Sequence, residues 1–307
     1  MNIVVASGTG FIGRALTASF LDEAHAVTVL SRQPSAAPGM RPGLRLERWD
    51  AKTPGPWDKS IRDADAVVNL TGENIGGKRW TAKQKTAILS SRVESTRLIV
   101  DVIGESPKRP RVLINVSGVG YYGDVPSGDV PESFPPGDDF LATVCRQWEE
   151  EARRAEQSGV RVVTPRLGLV LEAHGGALPR MALPFRLFAG GPLGSGRQWF
   201  PWVHREDVIG VIKFLLQAGT VAGPVNVVGP GAVTMAEFSS KLGSALGRPS
   251  WAPVPAFVLK LILGEMAQMI LTGQRAVPAR LDAAGYTFRF PLLSSALEDI
   301  FRRRNGK

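Results

Sequence analysis

Three glycines with the spacing Gly8-x-Gly10-x-x-Gly13 are the residues whose pattern points most directly to chemistry. They lie between an apolar run at residues 2–6 and a segment at residues 14–23 whose apolar residues recur with helical spacing. In this context the glycines permit a tight turn, a close approach of backbone N–H groups to a pyrophosphate, and close packing of helix on strand. The pattern therefore predicts a dinucleotide site at the positive end of the helix dipole. The expected contact residues are Gly8, Thr9, Gly10, Phe11, Ile12 and Gly13.

The end of the second apolar run, at residues 26–30, indicates which dinucleotide fits. Sites for NAD place an acidic side chain about 20 residues after the glycine turn, where it binds the ribose 2′-hydroxyl. Here the run continues into Ser31, Arg32 and Gln33, and none of these is acidic. A serine hydroxyl and an arginine fork both suit a 2′-phosphate, although an arginine at a strand end is also a common solvated residue. We therefore predict NADP(H) rather than NAD, with Ser31 and Arg32 at the 2′-phosphate.

The segments that carry these residues alternate between strand and helix patterns over the first 165 residues. Apolar runs at 44–49, 66–70, 112–116 and 160–164 are separated by helical stretches at 81–103 and 139–158, and Pro165 is expected to stop the last run. This alternation predicts an α/β fold, a Rossmann-like doubly wound parallel sheet with a small, mostly helical C-terminal cap. We place the NADP-binding domain at residues 1–170 plus about 204–230, and the substrate cap at about 171–203 and 231–307.

Composition excludes several classes of protein. The chain has 307 residues, 44% of them hydrophobic, which is typical of a globular protein with a large core. It has no apolar stretch of about 18 residues and no secretory signal pattern, so we expect no membrane association. The single cysteine, Cys145, fits a reducing, cytoplasmic location, and we predict no metal site. The cations behind the net charge of +9 are dispersed, which disfavours nucleic-acid binding and is compatible with a small anionic substrate.

Several short motifs resemble those of one protein family. They are Ser-Gly-Thr-Gly-Phe-Ile-Gly at residues 7–13, Asn-Leu-Thr-Gly-Glu-Asn-Ile-Gly at 69–76, Arg-Trp-Thr at 79–81, Ser-Arg at 91–92, Gly-Tyr-Tyr-Gly at 120–123 and Gln-Trp at 198–199. Over nearly its whole length the chain resembles the NAD(P)-dependent epimerase-like proteins of the extended, atypical short-chain dehydrogenase/reductase superfamily. Segments at 271–278 and 284–288 resemble that family's C-terminal domain of unknown function. The resemblance implies a Rossmann-like fold with bound NADP, and further cofactor contacts at Leu70, Thr71, Gly72, Pro165 and Arg166.

The chain departs from that superfamily in two places. The superfamily's glycine turn begins Thr-Gly, whereas this chain has Ala6-Ser7, and the Cβ of Ser7 is expected to require a different φ. The superfamily's catalytic Tyr-x-x-x-Lys pair is absent, because none of the three tyrosines has a lysine four positions later. On the helix where the pair is expected, Leu141 and Cys145 occupy its positions. Neither side chain can transfer a proton in the usual way.

Other polar and aromatic residues near the expected strand ends are candidates for chemistry. Ser117 follows the fifth strand, and Tyr122 carries a hydroxyl that could act as a general acid, so these two are the candidate catalytic residues. A structural serine at a strand end and a tyrosine engaged in packing are the alternatives. The loop after the fourth strand, the second tyrosine and two tryptophans are candidates for binding the substrate. These residues are Glu73, Asn74, Tyr121, Trp199 and Trp202.

These observations favour an NADP-dependent oxidoreductase or epimerase-like enzyme that lacks the Tyr-x-x-x-Lys pair and acts on an unidentified substrate. Hydride transfer at the nicotinamide needs only that another group, or water, handles the proton. The missing pair leaves a second interpretation open, a non-catalytic NADP-binding protein that senses redox state. The polar residues at the strand ends favour the enzyme.

Overall fold

A parallel sheet lies at the centre of the computed structural model, which describes residues 1–33 and 41–305, with side chains as far as Arg302. Within these residues the strand order across the sheet is that of a doubly wound fold. The strands in spatial order are β3 (Leu44–Arg48), β2 (Ala26–Ser31), β1 (Asn2–Ala6), β4 (Ala66–Asn69), β5 (Val112–Asn115), β8 (Arg161–Leu167) and β12 (Gly223–Val227). A two-residue strand, β6 (Ser117–Gly118), also pairs with β8. The predicted fold class is confirmed.

Helices cover both faces of this sheet and form most of the C-terminal region. Those within the sheet domain are α1 (Phe11–Asp22), α2 (Asp58–Arg62), α3 (Ala82–Glu105), α4 (Phe140–Arg153) and α6 (Arg205–Gln217). The remaining helices are α5 (Leu178–Arg186), α7 (Met235–Leu246), α8 (Ala256–Leu263), α9 (Gln268–Leu271), α10 (Ala279–Ala283) and α11 (Leu293–Asn305).

Strand β1 shows how the sequence builds this layered core. Ile3 and Val5 pack in a cluster with residues of α1 and α6, whereas Val4 and Ala6 pack in a second cluster with residues of α2 and α3. Because successive side chains of a strand point to opposite faces, a continuous apolar run produces a strand that is buried on both sides. The chain then leaves β1 and β4 towards the same edge, where open α/β sheets bind their ligands.

The expectation that Pro165 stops the sixth strand is wrong. Strand β8 continues through Pro165 to Leu167, and Pro165 has Val225 of β12 as its register partner. On the other side, β5 pairs with β8 only as far as Val163, and β6 resumes the pairing at Arg166. Pro165 therefore lies opposite a gap in the ladder, where its missing N–H costs no hydrogen bond.

A separate hydrophobic cluster joins α5, α7 and α11 to four short strands, β9 (Leu169–Leu171), β10 (Trp199–Phe200), β11 (Trp202–His204) and β13 (Val233–Thr234). Two further short strands are β7 (Val125–Val130) and β14 (Gln274–Ala276), and the sequence patterns revealed none of these six. They pair as β9 with β11, β10 with β13, and β7 with β14. The proposed division into a cofactor domain and a substrate cap stays a prediction.

Candidate cofactor and substrate site

The glycine turn after β1 has the close packing that its sequence predicts. A Cβ built on Gly8 would lie 2.8 Å from a methyl carbon of Val29 in β2, so a side chain there would collide with the next strand. A Cβ on Gly13 would lie 2.6 Å from the Cα of Gly8 and 2.6 Å from the carbonyl oxygen of Ser7. Gly10 caps α1, which has no acidic residue in its first turn. The N-terminus of α1 is therefore held close to β1 and keeps the positive potential that suits a pyrophosphate.

Ser7 adopts φ +64°, in the left-handed region that favours glycine. A residue with a Cβ is strained there by about 1 kcal/mol. The turn nevertheless closes, because the Ser7 N–H donates to the carbonyl of Leu30 and the Gly10 N–H donates to the carbonyl of Ser7. The departure at Ser7 is thus absorbed as local backbone strain.

The end of β2 brings two hydroxyls and two arginines together. Ser31 Oγ lies 2.9 Å from Thr9 Oγ1, so the glycine turn and the end of β2 share a hydrogen bond. Arg32 follows Ser31 and is exposed. Arg48, which the sequence analysis missed, is the register partner of Ser31 at the end of β3 and is also exposed. Within residues 1–33 and 41–305 neither arginine has an ion-pair partner. The nearby Asp50 is occupied in its own turn, where the backbone N–H groups of Thr53 and Lys52 lower its pKa to about 2.

Buried amide groups fix the ends of β4 and β5. Asn69 Nδ2 donates to Asn115 Oδ1 at 2.6 Å and to Thr96 Oγ1 of α3 at 2.9 Å. Trp148 Nε1 of α4 also donates to Thr96 Oγ1, at 2.9 Å. The Asn69 side-chain oxygen in turn accepts from the backbone N–H of Thr71. The predicted cofactor contacts at Leu70, Thr71 and Gly72 therefore start from a rigid point beside the glycine turn.

The candidate catalytic residue Ser117 belongs to a buried charged network. Its hydroxyl donates to Glu149 Oε1 at 2.8 Å. Glu149 also accepts from Arg166 Nε at 2.8 Å and Arg166 Nη2 at 2.7 Å, and the two side chains are 2% and 3% exposed. Arg166 Nη1 donates to the Tyr122 hydroxyl at 2.9 Å, and that hydroxyl donates to Asn226 Oδ1 at 2.7 Å. Sequence reasoning gave no signal for Glu149 or Asn226, which lie 32 and 104 residues from the groups that they bind.

Tyr121 and Tyr122 differ in the hydrogen bonds that their hydroxyls make. Burial raises the pKa of Tyr122 to about 12, and its hydroxyl has both a donor and an acceptor partner. The Tyr121 ring is half-buried and lies under the Arg166 guanidinium, at 3.4 Å from ring centroid to Cζ. Within the described residues the Tyr121 hydroxyl makes no hydrogen bond. Tyr121 is thus the tyrosine of this pair whose hydroxyl is available to a ligand.

Leu141 and Cys145 lie on α4 as expected, one helical turn apart. Burial, followed by the charge of Glu149, raises the pKa of the Cys145 thiol to about 11. The thiol therefore stays protonated at neutral pH and cannot serve as a nucleophile or a base there.

The loop after β4 is clamped by two residues of α3. Ser91 Oγ accepts from the Glu73 N–H at 2.9 Å, and Arg92 Nη1 donates to the Glu73 carbonyl at 3.1 Å. The Glu73 carboxylate has no hydrogen-bond or ion-pair partner within the part of the chain described, which leaves it available to a substrate. Asn74 instead accepts from the Gly76 N–H in a turn of its own, at 3.0 Å.

Within the described residues, neither of the two tryptophans hydrogen-bonds to the network of Ser117 and Arg166. Trp199 is partly exposed, donates to the Pro126 carbonyl at 3.2 Å and packs beneath Arg275. Trp202 is 1% exposed in the C-terminal cluster, and its indole donates to the Gly231 carbonyl at 3.0 Å. Trp199 has surface to offer a substrate, whereas Trp202 is part of the core. Both substrate contacts stay predictions.

The glycine turn and the sheet around it lie in a segment that matches a known protein family. Residues 3–229 match the model of the NAD dependent epimerase/dehydratase family. The chain belongs to this family. Residues 254–300 match a second model, described only as a domain of unknown function. The resemblance drawn from the sequence motifs is confirmed over both regions.

Relatives of this family member align along its whole length. The crystal structure of human epimerase family protein SDR39U1 with NADPH is 39% identical and has a TM-score of 0.87, covering 98% of this chain and 99% of that one. The chloroplastic SDR39U1 homologue of Arabidopsis thaliana is 40% identical over 98% of this chain and 87% of its own length. MoeE5 in complex with UDP-glucuronic acid and NAD has the same fold, with a TM-score of 0.78 at 19% identity, covering 99% of this chain and 100% of that one.

These findings agree with an NADP-type cofactor and leave the location of the protein a prediction. None of the helices among residues 1–33 and 41–305 combines the length and the apolar character needed to span a bilayer. The same residues contain no group of three His, Cys, Asp or Glu side chains placed to hold a metal ion. The cytoplasmic assignment is untested, and one relative is named as chloroplastic.

Proposed function

We propose that this chain binds NADPH, with the pyrophosphate at the glycine turn and the adenosine 2′-phosphate between the ends of β2 and β3. The observation that carries this proposal is the cluster of Thr9, Ser31, Arg32 and Arg48. Two hydroxyls and two guanidinium groups that have no ion-pair partner among the described residues suit a dianionic phosphate. A carboxylate, which would bind a ribose hydroxyl, is instead held away in the Asp50 turn. The glycine turn fits the dinucleotide because a Cβ at Gly8 or Gly13 would collide with β2 or with the turn itself and push the N-terminus of α1 away from β1.

The proposed reaction is hydride transfer between the nicotinamide and a small anionic substrate, in the manner of a reductase or an epimerase. When bound, the nicotinamide supplies the hydride donor or acceptor at C4. The chain must then hold the substrate and handle a proton without a Tyr-x-x-x-Lys pair. In the part of the chain that the structure describes, the Tyr121 hydroxyl and the Glu73 carboxylate have no hydrogen-bond partner, so they suit these tasks better than Ser117 and Tyr122, whose hydroxyls are engaged in the buried network. Their roles as catalytic residues stay predictions.

A titration with NADPH and NADH tests the cofactor proposal. Each charge-assisted contact to a phosphate contributes about 1.5–3 kcal/mol, or about a tenfold to hundredfold change in Kd. We expect Arg32→Ala and Arg48→Ala each to weaken NADPH binding at least tenfold and to leave NADH binding within about threefold. Arg45→Ala is the matched control, because Arg45 lies on the same strand β3 and is 72% exposed. If the Arg32 and Arg48 variants lose affinity for NADPH and NADH by the same factor, the proposal is contradicted.

A nucleotide sensor is the second candidate, favoured by the locked state of Ser117 and Tyr122. A screen of carbonyl compounds and sugar nucleotides for oxidation of bound NADPH separates the two functions. Turnover that falls in Tyr121→Phe and persists in Tyr122→Phe would support the enzyme and the assignment of Tyr121. NADPH binding without turnover over the whole panel would favour the sensor.

A further inference from the structure

The guanidinium of Arg92, on α3, is a buried cation that forms no ion pair with a carboxylate among the described residues. The side chain is 8% exposed and lies over the ring of Trp148, at 5.1 Å from Cζ to the ring centroid. Its Nη1 donates to the carbonyls of Glu73 and Ile88, at 3.1 and 3.0 Å. Arg97, on the same helix, forms an ion pair with a glutamate, whereas Arg92 forms none within the described residues.

A cation in this setting is energetically unfavourable unless something compensates it. Burial lowers the pKa of Arg92, while the nearby Cys145 and Glu73 act in the opposite direction from a distance. Two carbonyl dipoles and an aromatic face compensate part of the lost hydration. An oxyanion would compensate it more fully, since buried charges in proteins are paired.

The Nε–Nη2 edge of the guanidinium is distinct from the face that Gly72 covers. A Cβ on Gly72 would lie 2.7 Å from Cζ, 2.8 Å from Nη2 and 3.1 Å from Nε of Arg92, which places it over the plane of the guanidinium. Within residues 1–33 and 41–305, Nη2 and Nε make no hydrogen bond, and neither is among the fully buried unsatisfied atoms. Gly72 itself is exposed and follows the C-terminal end of β4, so the guanidinium that it covers lies near the ligand-binding end of the sheet.

We propose that the Nε–Nη2 edge of Arg92 binds an oxyanion, a carboxylate or phosphoryl group, of the substrate. This edge presents two parallel N–H donors, the arrangement that binds carboxylate and phosphate oxygens bidentately. The pyrophosphate of the dinucleotide is assigned to the N-terminus of α1, so the anion at Arg92 belongs to the second ligand. This inference rests on the proposed function, which it deepens by naming the recognised group of the substrate.

Calorimetric titration of the NADPH-saturated protein tests the site with three probes: oxalate, inorganic phosphate and UDP-glucuronate. We expect at least one probe to bind saturably, and its Kd to weaken about tenfold or more in Arg92→Gln. Arg97→Gln is the control on the same helix, because Arg97 is about half exposed and pairs with Glu151, and we expect its Kd within about twofold of wild type.

A purely structural role for Arg92 predicts a different set of results. Arg92→Lys keeps a positive charge and loses the two-donor edge. We therefore expect it to weaken binding of the probe, while the Kd for NADPH stays within about threefold of the wild-type value. If the melting temperature falls in the variants but the increase in melting temperature produced by the probe is unchanged, the proposal is overturned. It is also overturned if no probe binds wild type at about 10 mM, or if NADPH affinity falls by the same factor as probe affinity. Failure of NADPH to bind the wild-type protein would instead refute the proposed function.

Discussion

The buried pair of Glu149 and Arg166 gives the sharpest test of the structure, through the variant Glu149→Gln. The carboxylate accepts three hydrogen bonds, two from Arg166 and one from Ser117, and both charged side chains are almost fully buried. Glutamine keeps the shape but removes the negative charge and turns an N–H₂ group towards the guanidinium. Removing one partner of a buried ion pair lowers the free energy of unfolding by about 3–5 kcal/mol. We expect Glu149→Gln to destabilise the protein by that amount.

Urea unfolding followed by tryptophan fluorescence measures this loss as a shift of the midpoint by about 1 M or more. Glu105→Gln is the control at the surface. Glu105 pairs with Arg62, and these side chains are 72% and 32% exposed, so we expect a loss below about 1 kcal/mol. Equal shifts in the two variants would refute the reasoning that burial makes the Glu149 pair important. A shift for Glu149→Gln below that of Glu105→Gln would refute the network itself.

Three further predictions follow from individual residues. Gly13→Ala should abolish NADPH binding and lower the melting temperature, because its Cβ would lie 2.6 Å from backbone atoms; unchanged values would contradict the close packing of α1 on β1. Cys145, with its pKa raised to about 11 by burial, should react with a thiol reagent at pH 8 only in denaturant, and rapid labelling of the folded protein would disprove its burial. Tyr122 has a pKa of about 12 in the folded protein and an ordinary value of 10.0, so above pH 10 the unfolded chain loses this proton first and stability falls with rising pH. Between pH 9 and pH 11 the unfolding free energy of wild type should therefore fall relative to that of Tyr122→Phe, which lacks the titrating hydroxyl. A difference between the two proteins that stays constant over this range would count against the raised pKa.

The parallel sheet and the glycine turn were predictable because their signals are local. Five residues of β1, a turn with glycines at fixed spacing and the helix that follows occupy a short stretch of chain, and periodicity reports burial directly. The continuation of β8 through Pro165 was not predictable, because it depends on where β5 leaves the ladder. The short strands β9 to β11 were missed for a similar reason, since two or three residues carry too little pattern to register.

For the candidate site, the sequence predicts which residues bind a nicotinamide dinucleotide and shows that the usual tyrosine–lysine pair is missing. The partners of these residues became visible only in the folded chain. There Arg48 lies beside Ser31, Tyr122 and Ser117 belong to the Glu149–Arg166 network, and Arg92 uses only Nη1 in hydrogen bonds to the described residues. The physical reason is that a spacing fixes only neighbours along a helix or strand. Hydrogen-bond partners and burial arise between elements that lie far apart in the chain.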